Sequence, residues 1–413
     1  MNNEGENALR KIKKIYDHYA VLLFGAAILG VVLGISLGDK ATYLAPFGTI
    51  FTRLLKMLVP VLVFFSIASA FANIGDAGKL GKWAGKIIGL FLITTTIGCI
   101  IGCAAGLIFK PGQGITLPDV EYEVTKITAD MFIDWLPENF VGCISEGNTI
   151  QIVFLSIFVG MATIFLPEGK SKESIQNFLN AGQDLILKIV GGIMYYAPIG
   201  IIGLMASSVS ELTGSFVMEM SKFLIAYTVA FVLQIVVCYF GLLKFVGKLS
   251  PIKFVKKYVP AMVTAFTTTS SAATLPINME CVEKMGVDKE MSAFGIPLGV
   301  TFNMDSMAIE IPLYIMLGIY AAGGTPNLAE LILFVIMGIA FSVGCAGVPG
   351  GGIAMAVIVV NAFGLPVQVV GWISAVFFYL DITGTVMNVW GDAVCTTIVA
   401  KTEGMLDLEK YNE

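Results

Sequence analysis

A long apolar segment is interrupted at residues 344–352 by the sequence Gly-Cys-Ala-Gly-Val-Pro-Gly-Gly-Gly. A similar break occurs at residues 267–276, where the sequence is Thr-Thr-Thr-Ser-Ser-Ala-Ala-Thr-Leu-Pro. An apolar helix with an Asn/Asp cluster follows each break, with Asn303-Met-Asp-Ser306 after one and Asn388-Val-Trp-Gly-Asp392 after the other. Irregular backbone survives at membrane depth only where it lines a cavity or is buried in protein. The two repeated units therefore predict a transporter with its solute site between them.

The composition around these breaks is that of a membrane protein. Of 413 residues, 56% are hydrophobic and only 13% are charged, whereas soluble domains carry about 25% charged residues. Apolar runs such as 19–37 and 87–109 have about the length of ~20 residues that a helix needs to cross a bilayer. The first 250 residues predict six spans, with connectors near 38–44, 73–82, 110–130, 167–172 and 212–218. We expect an all-α polytopic membrane protein.

Charged residues between the spans predict the orientation. Arg10, Lys11, Lys13 and Lys14 precede the first span, and no small-residue cleavage site follows it, which favours an anchor over a signal peptide. Later connectors alternate between basic residues (Lys79, Lys82, Lys86, then Lys170 and Lys172) and an acidic stretch at 119–130. The pattern predicts a multi-pass protein of the inner (plasma) membrane with a cytoplasmic amino terminus.

Net charge and reactive residues exclude several classes. A net charge of −5 without a basic stripe argues against nucleic-acid binding. The only histidine is His18, at the first membrane boundary, so neither a histidine metal site nor a histidine-based catalytic triad can form. The seven cysteines form no CxxC pair and are typical of small buried hydrophobes. We do not expect an enzyme.

Residues 291–400 contain no lysine, arginine or histidine, but they contain five carboxylates: Asp305, Glu310, Glu330, Asp381 and Asp392. A charge at the bilayer centre costs about 2.5–3.5 kcal/mol even on insertion scales. Each intramembrane carboxylate must therefore meet a bound cation, a ligand ammonium or a proton. Sodium suits Asp and Asn oxygens together with the carbonyls that broken helices expose. We expect Glu330, near a connector, to be solvated.

Spacing indicates which groups act together. Asp381, Asn388 and Asp392 are seven and four residues apart, so they share one helix face. Asn303 and Asp305 would diverge on a regular helix, so a shared role requires the helix to unwind at 303–306. Other polar and glycine-rich residues also have purely structural explanations. The hydroxyl groups of the Ser/Thr run could hydrogen-bond to carbonyls of their own helix, and the glycines could allow helices to pack closely. Glu310 could be a proton carrier or a protonated packing residue.

Motifs along nearly the whole chain resemble the dicarboxylate/amino acid:cation symporter family, which includes archaeal aspartate transporters, mammalian glutamate transporters and neutral amino-acid exchangers. The motifs are Lys110-Pro-Gly-Gln-Gly-Ile115, Tyr196-Ala-Pro-Ile-Gly200, the Ser-rich tip ending Thr274-Leu-Pro276, Asn303-Met-Asp305, Gly347-Val-Pro-Gly350 and Asn388-Val-Trp-Gly-Asp392. The resemblance implies eight transmembrane helices plus two re-entrant helical hairpins, with inverted repeats, in a homotrimer that works as an elevator.

The resemblance also implies a division into domains. A static scaffold would comprise residues 1–82 (helices 1 and 2) and 129–212 (helices 4 and 5). A moving transport domain would comprise helix 3 at 83–112 and residues 214–409. That second part would contain helix 6, hairpin 1 at 251–285, helix 7 at 289–323, hairpin 2 at 326–365, which would be the outer gate, and helix 8 at 366–409.

Motif positions imply the site residues. One sodium ion would contact Gly299, Asn303, Asn388 and Asp392; another Thr301, Met304, Ser342, Val343 and Cys345; and a third Phe91, Thr94, Thr95, Asn303 and Asp305. The amino-acid substrate would meet Ser270, Ser271, Met307, Val348, Gly352, Asp381, Gly384, Thr385 and Asn388. Asp381 would hold its ammonium, while Ser271 and Asn388 would hold its carboxylate.

The chain departs from the family pattern in the substrate site. Acidic-substrate members carry an arginine three residues after the position of Asp381, where this chain has Gly384, and no arginine follows Arg53. Met307 and Thr269 stand where the family has threonine and arginine. Because an unpaired buried carboxylate is costly, we expect a sodium-coupled symporter of neutral amino acids. Alternatives are a carrier of cationic or diamino acids that uses Glu310, a carrier of dicarboxylates and, from another class, an ion channel or non-transporting sensor.

Overall fold

The computed structural model describes residues 19–73, 80–115, 133, 136–211, 215–345 and 351–413. Within these residues the secondary structure is helical, apart from an isolated bridge between Val287 and Leu406. The all-α prediction is therefore confirmed for the described chain. The predictions about the basic amino terminus, the acidic stretch at 119–130 and Val348 fall outside the described residues.

The helices follow in chain order as α1 (Tyr19–Leu37), α2 (Ala45–Ala72), α3 (Leu80–Phe109), α4 (Gly142–Glu146), α5 (Thr149–Ile164), α6 (Lys170–Met194), α7 (Ala197–Glu211), α8 (Ser215–Leu233), α9 (Pro251–Thr268), α10 (Ser271–Lys284), α11 (Lys289–Phe302), α12 (Asp305–Ala321), α13 (Leu328–Gly344), α14 (Gly351–Ala362), α15 (Gln368–Thr402) and α16 (Leu408–Asn412). A 3-10 segment (Gly38–Leu44) joins α1 to α2. Two π-helical turns (Gln234–Tyr239 and Leu242–Val246) continue α8.

Several helices have membrane-crossing length. In the described residues five spans are long and apolar enough: Lys40–Ala72, Lys82–Phe109, Val217–Val246, Lys289–Ala321 and Gln368–Thr402. The α6–α7 pair makes a sixth span if it is counted as one, and it is bent by 59° at its break. The sequence predicted a single span there. Pro198 stands in the first turn of α7. A proline is tolerated there because the N–H groups of the first turn make no hydrogen bond within the helix.

The helices pack in two groups. In the first, α2 packs against α5, α6 and α7, and α1 packs against α7. In the second, α12 packs against α3, α13 and α15, while α9, α10 and α11 pack around α15 and each other. The groups meet where α15 contacts α1 and α7 and where the α13–α14 hairpin contacts α2. The two broken units of the sequence therefore belong to one group.

Small residues on α3 allow the close approach of α12. Gly98, Gly102 and Gly106 recur every four residues and so form a stripe on one face. A Cβ added at Gly102 would lie 2.7 Å from the carbonyl oxygen of Ile309, and one at Gly98 would lie 3.2 Å from the Cβ of Ala308. Such stripes let helix backbones pack closely in membranes.

We expect Gly102→Ala to lower stability, because its methyl group meets α12 backbone that cannot move aside. Overpacking of this kind costs about 1–3 kcal/mol. Gly89→Ala is the control on the same helix, since a Cβ there meets nothing within 4 Å. Thermal unfolding in detergent measures both variants, and equal melting temperatures would contradict the close approach of α3 and α12.

Just beyond α15, Glu403 ties that helix to the start of α3. Its carboxylate accepts a hydrogen bond from Lys86 and lies 3.4 Å from the Lys82 ammonium. The Lys86 hydrogen bond lowers the pKa of the Glu403 carboxyl below its usual value.

This ion pair predicts a pH dependence of stability. A carboxyl whose pKa is lower in the folded state stabilises the fold above its unfolded pKa, about 4.3, and loses that contribution as the pH falls through the folded pKa. Wild type should therefore melt above Glu403→Gln near neutral pH, and the difference should shrink once the pH falls below about 4.3 and vanish below the lowered pKa of the folded state. Melting curves over a pH series test this, and a difference that does not change with pH would refute it.

The prediction that Glu330 is solvated is wrong. Glu330 is only 2% exposed. Its Oε2 accepts a hydrogen bond from Asn327 N at 2.8 Å, while its own N–H donates to Asn327 Oδ1 at 2.9 Å. This capping box starts α13, and the N-terminal end of a helix favours a carboxylate. The prediction used only the nearness of Glu330 to a connector, which does not show that Asn327 is its hydrogen-bond partner.

Candidate functional site

A cavity of about 30 Å³ lies where the broken helices converge. Its lining residues come from the α9–α10 break, the start of α12, the α13–α14 hairpin and α15: Thr269, Ser271, Met304, Ser306, Met307, Glu310, Cys345, Gly352, Phe377, Leu380, Asp381, Gly384, Thr385 and Asn388. Seven of the nine predicted substrate residues therefore meet in one place. This volume holds about two water molecules, so an amino acid can enter only when lining groups move.

The first predicted break lies between α9 and α10. Thr269 adopts a left-handed conformation (φ 48°) and Ser270 is extended. The Ser270 hydroxyl accepts a hydrogen bond from Ala273 N at 3.2 Å, so it caps α10, while Ser271 lines the cavity. Ser270 itself is not among the lining residues, so its contact with the substrate stays a prediction.

The rest of the Ser/Thr run has the structural role that the sequence left open. The hydroxyls of Thr267 and Thr268 donate to the carbonyls of Val263 and Thr264, at 3.0 and 2.8 Å. They therefore satisfy carbonyls of their own helix. Only the residues at the break itself face the cavity.

Asp381 presents a buried oxygen without a partner. The Thr269 side chain hydrogen-bonds this carboxyl group, but its Oδ2 is buried with no hydrogen-bond partner. No basic residue occurs from Met291 to Ala400, and none of the described residues that line the cavity is basic. An orphaned carboxylate oxygen is costly in protein interior, so the site fits a ligand that brings a cationic donor.

Glu310 is a second carboxyl group at the same cavity. It is 1% exposed, and its Oε2 accepts a hydrogen bond of 2.6 Å from the Tyr314 hydroxyl. Asp381 is close enough to interact with it electrostatically. Gly384 has no side chain to fill the space beside Glu310. A Cβ added there would lie 3.3 Å from Glu310 Oε1 and 2.8 Å from Ser306 Oγ. Because residue 384 is glycine, no side chain stands between Glu310 and the neighbouring lining residues of the cavity.

The predicted break between α11 and α12 is present and is confined to Asn303 and Met304. Neither residue has helical dihedral angles, so Asn303 and Asp305 can address one site as the spacing argument required. From α15, Asn388 Oδ1 accepts the Ser306 N–H at 2.9 Å, and its Nδ2 lies 3.2 Å from Met304 Sδ. Asn388 thus caps the first turn of α12, whose N–H groups lack intrahelical partners.

An oxygen-rich cluster surrounds Asp305, which is fully buried. Asp305 Oδ1 lies 3.1 Å from the Thr94 hydroxyl and 3.0 Å from the Thr95 hydroxyl. The Thr94 oxygen is also 3.1 Å from Asn303 Oδ1 and 3.0 Å from the Phe91 carbonyl. Because one hydroxyl has one proton, Thr94 cannot donate to all three acceptors. The five predicted residues of the third sodium site therefore meet around an excess of acceptors, which suits a hard cation.

Asp392 lies one turn beyond Asn388 and is fully buried. Its Oδ1 accepts Asn303 Nδ2 at 3.0 Å, whereas its Oδ2 is buried with no partner. A Cβ at Gly299 would collide with this carboxyl group, so glycine permits the contact. The structure therefore brings together Gly299, Asn303 and Asp392 of the first predicted sodium site. The fourth predicted residue, Asn388, lies one helical turn before Asp392, and its side-chain amide contacts Ser306 N and Met304 Sδ.

The second predicted sodium site is assembled in part. The Ser342 hydroxyl donates to the Met304 carbonyl at 2.8 Å, and Cys345 N donates to the Ser342 carbonyl at 3.3 Å. Thr301 lies in the last turn of α11 and Val343 in the last turn of α13. Backbone carbonyls at these helix ends lack intrahelical partners.

Sequence reasoning missed two residues of the π-helical turn after α8 that contact the cluster. The Tyr239 hydroxyl donates to Asp305 Oδ2 at 2.6 Å, and Gln234 Nε2 donates to the Thr94 carbonyl at 3.0 Å. Both lie on a π-helical turn, and such turns are frequent at functional sites. The signal in the sequence was a glutamine inside an apolar span. Tyr314 was also missed, although it follows Glu310 by one helical turn.

The oxygen atoms around these carboxylates differ in type from the His and Cys ligands of most transition-metal sites. No group of three or more His, Cys, Asp or Glu side chains that could hold a metal ion occurs in the described part of the chain. The buried oxygens come from one carboxylate at a time plus neutral hydroxyl, amide and carbonyl groups. Oxygens of this kind are the ligands of hard cations.

Comparison with known proteins identifies the family to which the chain belongs. The family model described as "Sodium:dicarboxylate symporter family" matches residues 20–402. A proton/sodium-glutamate symport protein of Geobacillus stearothermophilus is 30% identical over 403 residues, which cover 94% of this chain and 95% of that protein. A C4-dicarboxylate transport protein of Bacillus subtilis is 28% identical and covers 97% of both chains. Another of that name from Rhizobium meliloti is 26% identical, covering 95% and 91%. The chain belongs to the sodium:dicarboxylate symporter family, a family of membrane symporters rather than of enzymes.

Proposed function

We propose that this protein is a sodium-coupled symporter of amino acids whose side chains carry no carboxylate. The class contains the neutral amino acids expected from the sequence as well as basic ones. The observation that carries the proposal is the orphaned Asp381 oxygen in a cavity lined by two carboxyl groups and, among the described residues, by no basic side chain. A solute ammonium supplies the missing donor.

Acidic solutes fit this cavity poorly. The relatives are named for glutamate and C4-dicarboxylates, and a solute of that kind brings at least two carboxylates. Next to Asp381 and Glu310 these would be unpaired like charges in a low-dielectric site, which is strongly unfavourable. The glycine at position 384 provides no group that could neutralise a side-chain carboxylate.

Sodium is the proposed coupling ion. The groups around Asp305 (Phe91, Thr94, Thr95 and Asn303) would hold one ion, and Asp392 with Gly299 and Asn303 would hold another. The orphaned Asp392 Oδ2 supports the second site. When bound, each ion would supply positive charge that neutralises a buried carboxylate. The ions and the solute then share the Asn303–Met304 break, which is the physical basis for coupling their binding.

The transport motion proposed is an elevator. The group formed by α1, α2, α5, α6 and α7 would be the scaffold, and the other group, with both hairpins, would move as the transport domain. The separate packing of the two groups supports this division. The proposal also includes four features that the family resemblance and the charge pattern imply: eight spans, a homotrimer, a cytoplasmic amino terminus and an inner-membrane location.

Uptake into proteoliposomes tests this function. Radiolabelled neutral and basic amino acids should accumulate above the outside concentration when sodium is higher outside, and aspartate should not compete. Equal uptake with and without the sodium gradient would refute sodium coupling. Solute flux that never exceeds equilibrium would instead indicate a channel.

A further inference from the structure

We infer that Glu310, held in place by Tyr314, recognises the end of the solute side chain, and that the preferred solutes are diamino acids with a terminal side-chain ammonium. This inference rests on the proposed function and narrows its solute class. It concerns the part of the cavity next to Glu310, whereas Asp381 would hold the α-ammonium group.

The charge balance of the cavity favours a second cation. Asp381 and Glu310 line the same space and interact with each other, while residues 291–400 contain no basic side chain to offset either of them. The α-ammonium of a neutral amino acid neutralises only one of the two carboxylates. A diamino acid brings two ammonium groups, one for each carboxylate, so that neither charge is left buried and unpaired.

Tyr314 fixes where Glu310 points. It lies one helical turn after Glu310 on α12, and its hydroxyl donates to Glu310 Oε2 at 2.6 Å. Its ring stacks on Phe223 of α8, with centroids 6.1 Å apart and an interplanar angle of 17°. The fully buried Tyr227 of α8 also lies close enough to Glu310 to interact with it electrostatically. The carboxyl group is therefore positioned by a packed aromatic layer behind the cavity.

Gly384 makes Glu310 reachable from the cavity. A side chain at this position would start 3.3 Å from Glu310 Oε1 and 2.8 Å from the Ser306 hydroxyl. Any larger residue would therefore fill the space between Glu310 and a solute. Because Gly384 is three residues after Asp381 on α15, the two carboxyl groups address neighbouring parts of one solute. The solute carboxylate would then lie near Ser271 and Asn388.

The experiment compares lysine with norleucine, which has the same four-carbon chain without the terminal ammonium. Binding is measured with the full chain in detergent, as the concentration of each amino acid that raises the melting temperature in saturating sodium. Wild type should bind lysine at least about 30-fold more tightly than norleucine, the size expected for a buried charge pair. Glu310→Gln should lower the lysine-to-norleucine affinity ratio by about the same factor.

Tyr314→Phe tests the positioning role. It should raise KM for lysine uptake several-fold with little change in kcat, and it should leave the affinity for norleucine unchanged. Glu330→Gln is the matched control, because Glu330 is buried to the same degree but its carboxyl group lies in the α13 capping box. That variant should keep the wild-type ratio.

Two results would overturn the inference. One is a wild-type preference for norleucine over lysine, and the other is a lysine-to-norleucine ratio that Glu310→Gln leaves unchanged. Both leave amino-acid symport itself intact. Absence of binding by lysine, norleucine and every other amino acid, with sodium present, would refute the proposed function and this inference together.

Discussion

Asp381→Asn is expected to abolish amino-acid uptake. The asparagine has nearly the same shape as aspartate but no charge, so the solute ammonium loses its only ionic partner at that end of the cavity. Truncating one member of a buried, hydrogen-bonded charge pair costs about 2–5 kcal/mol, which corresponds to a roughly 30- to 5,000-fold loss of affinity. Uptake into proteoliposomes and the amino-acid-induced rise in melting temperature measure this loss.

The Asp381 variant is informative only if it folds. The melting temperature without solute provides that check, and it should not fall, because the wild-type carboxylate oxygen is already without a partner. Removing an orphaned buried charge can even stabilise a protein. Full uptake by Asp381→Asn would refute the assignment of this residue to the ammonium.

Asp305→Asn is expected to remove most of the sodium dependence. The oxygen cluster would lose its charged ligand while keeping the hydroxyl and amide oxygens of Thr94, Thr95 and Asn303. The sodium concentration that gives half-maximal uptake should rise by at least about 30-fold, again the size of a lost buried charge pair. Uptake measured over a sodium series, with choline as the replacement cation, gives this concentration.

Two further variants serve as comparisons for Asp305→Asn, one with a smaller expected effect and one with none. Tyr239→Phe removes the 2.6 Å hydrogen bond to Asp305 Oδ2 but keeps the carboxylate, so its effect should have the same direction and be smaller. Asp288→Asn is the control, because Asp288 caps α11 through its Oδ1 and asparagine caps equally well. An Asp305→Asn protein with wild-type sodium dependence would show that the cluster does not bind the coupling ion.

The Asn303–Met304 break explains how sodium and solute could depend on each other. Met304 contributes its carbonyl to Ser342 of α13 and its sulfur to Asn388 of α15. Asn303 joins the Asp305 cluster to Asp392 through the two ends of its amide. An ion that orders this two-residue segment therefore also orders groups that line the solute cavity. Coupling between two sites requires a shared element of this kind.

Much of the site could be predicted from the sequence because membrane burial makes polar residues informative. Intramembrane Asp305, Asp381 and Asp392 are costly without partners, and helical spacing placed Asp381 and Asn388 on one face. The break at 303–304 followed from the same periodicity. The bend between α6 and α7, the capping role of Ser270 and the burial of Glu330 were not predicted, because each depends on one local hydrogen bond or contact rather than on a pattern.

The sequence by itself determined that this is an all-helical membrane protein with motifs of the symporter family, that polar or glycine-rich breaks interrupt its apolar segments, and that residues 291–400 carry no basic side chain. Composition and periodicity carry this information because lipid leaves the backbone few alternatives. Only the tertiary structure decided which polar groups meet. It placed Glu310 and Asp381 in one cavity, brought Tyr239 of the π-helical turn after α8 to Asp305, and turned Asn388 to the α12 amide, since such contacts depend on how distant helices pack and not on spacing along one of them.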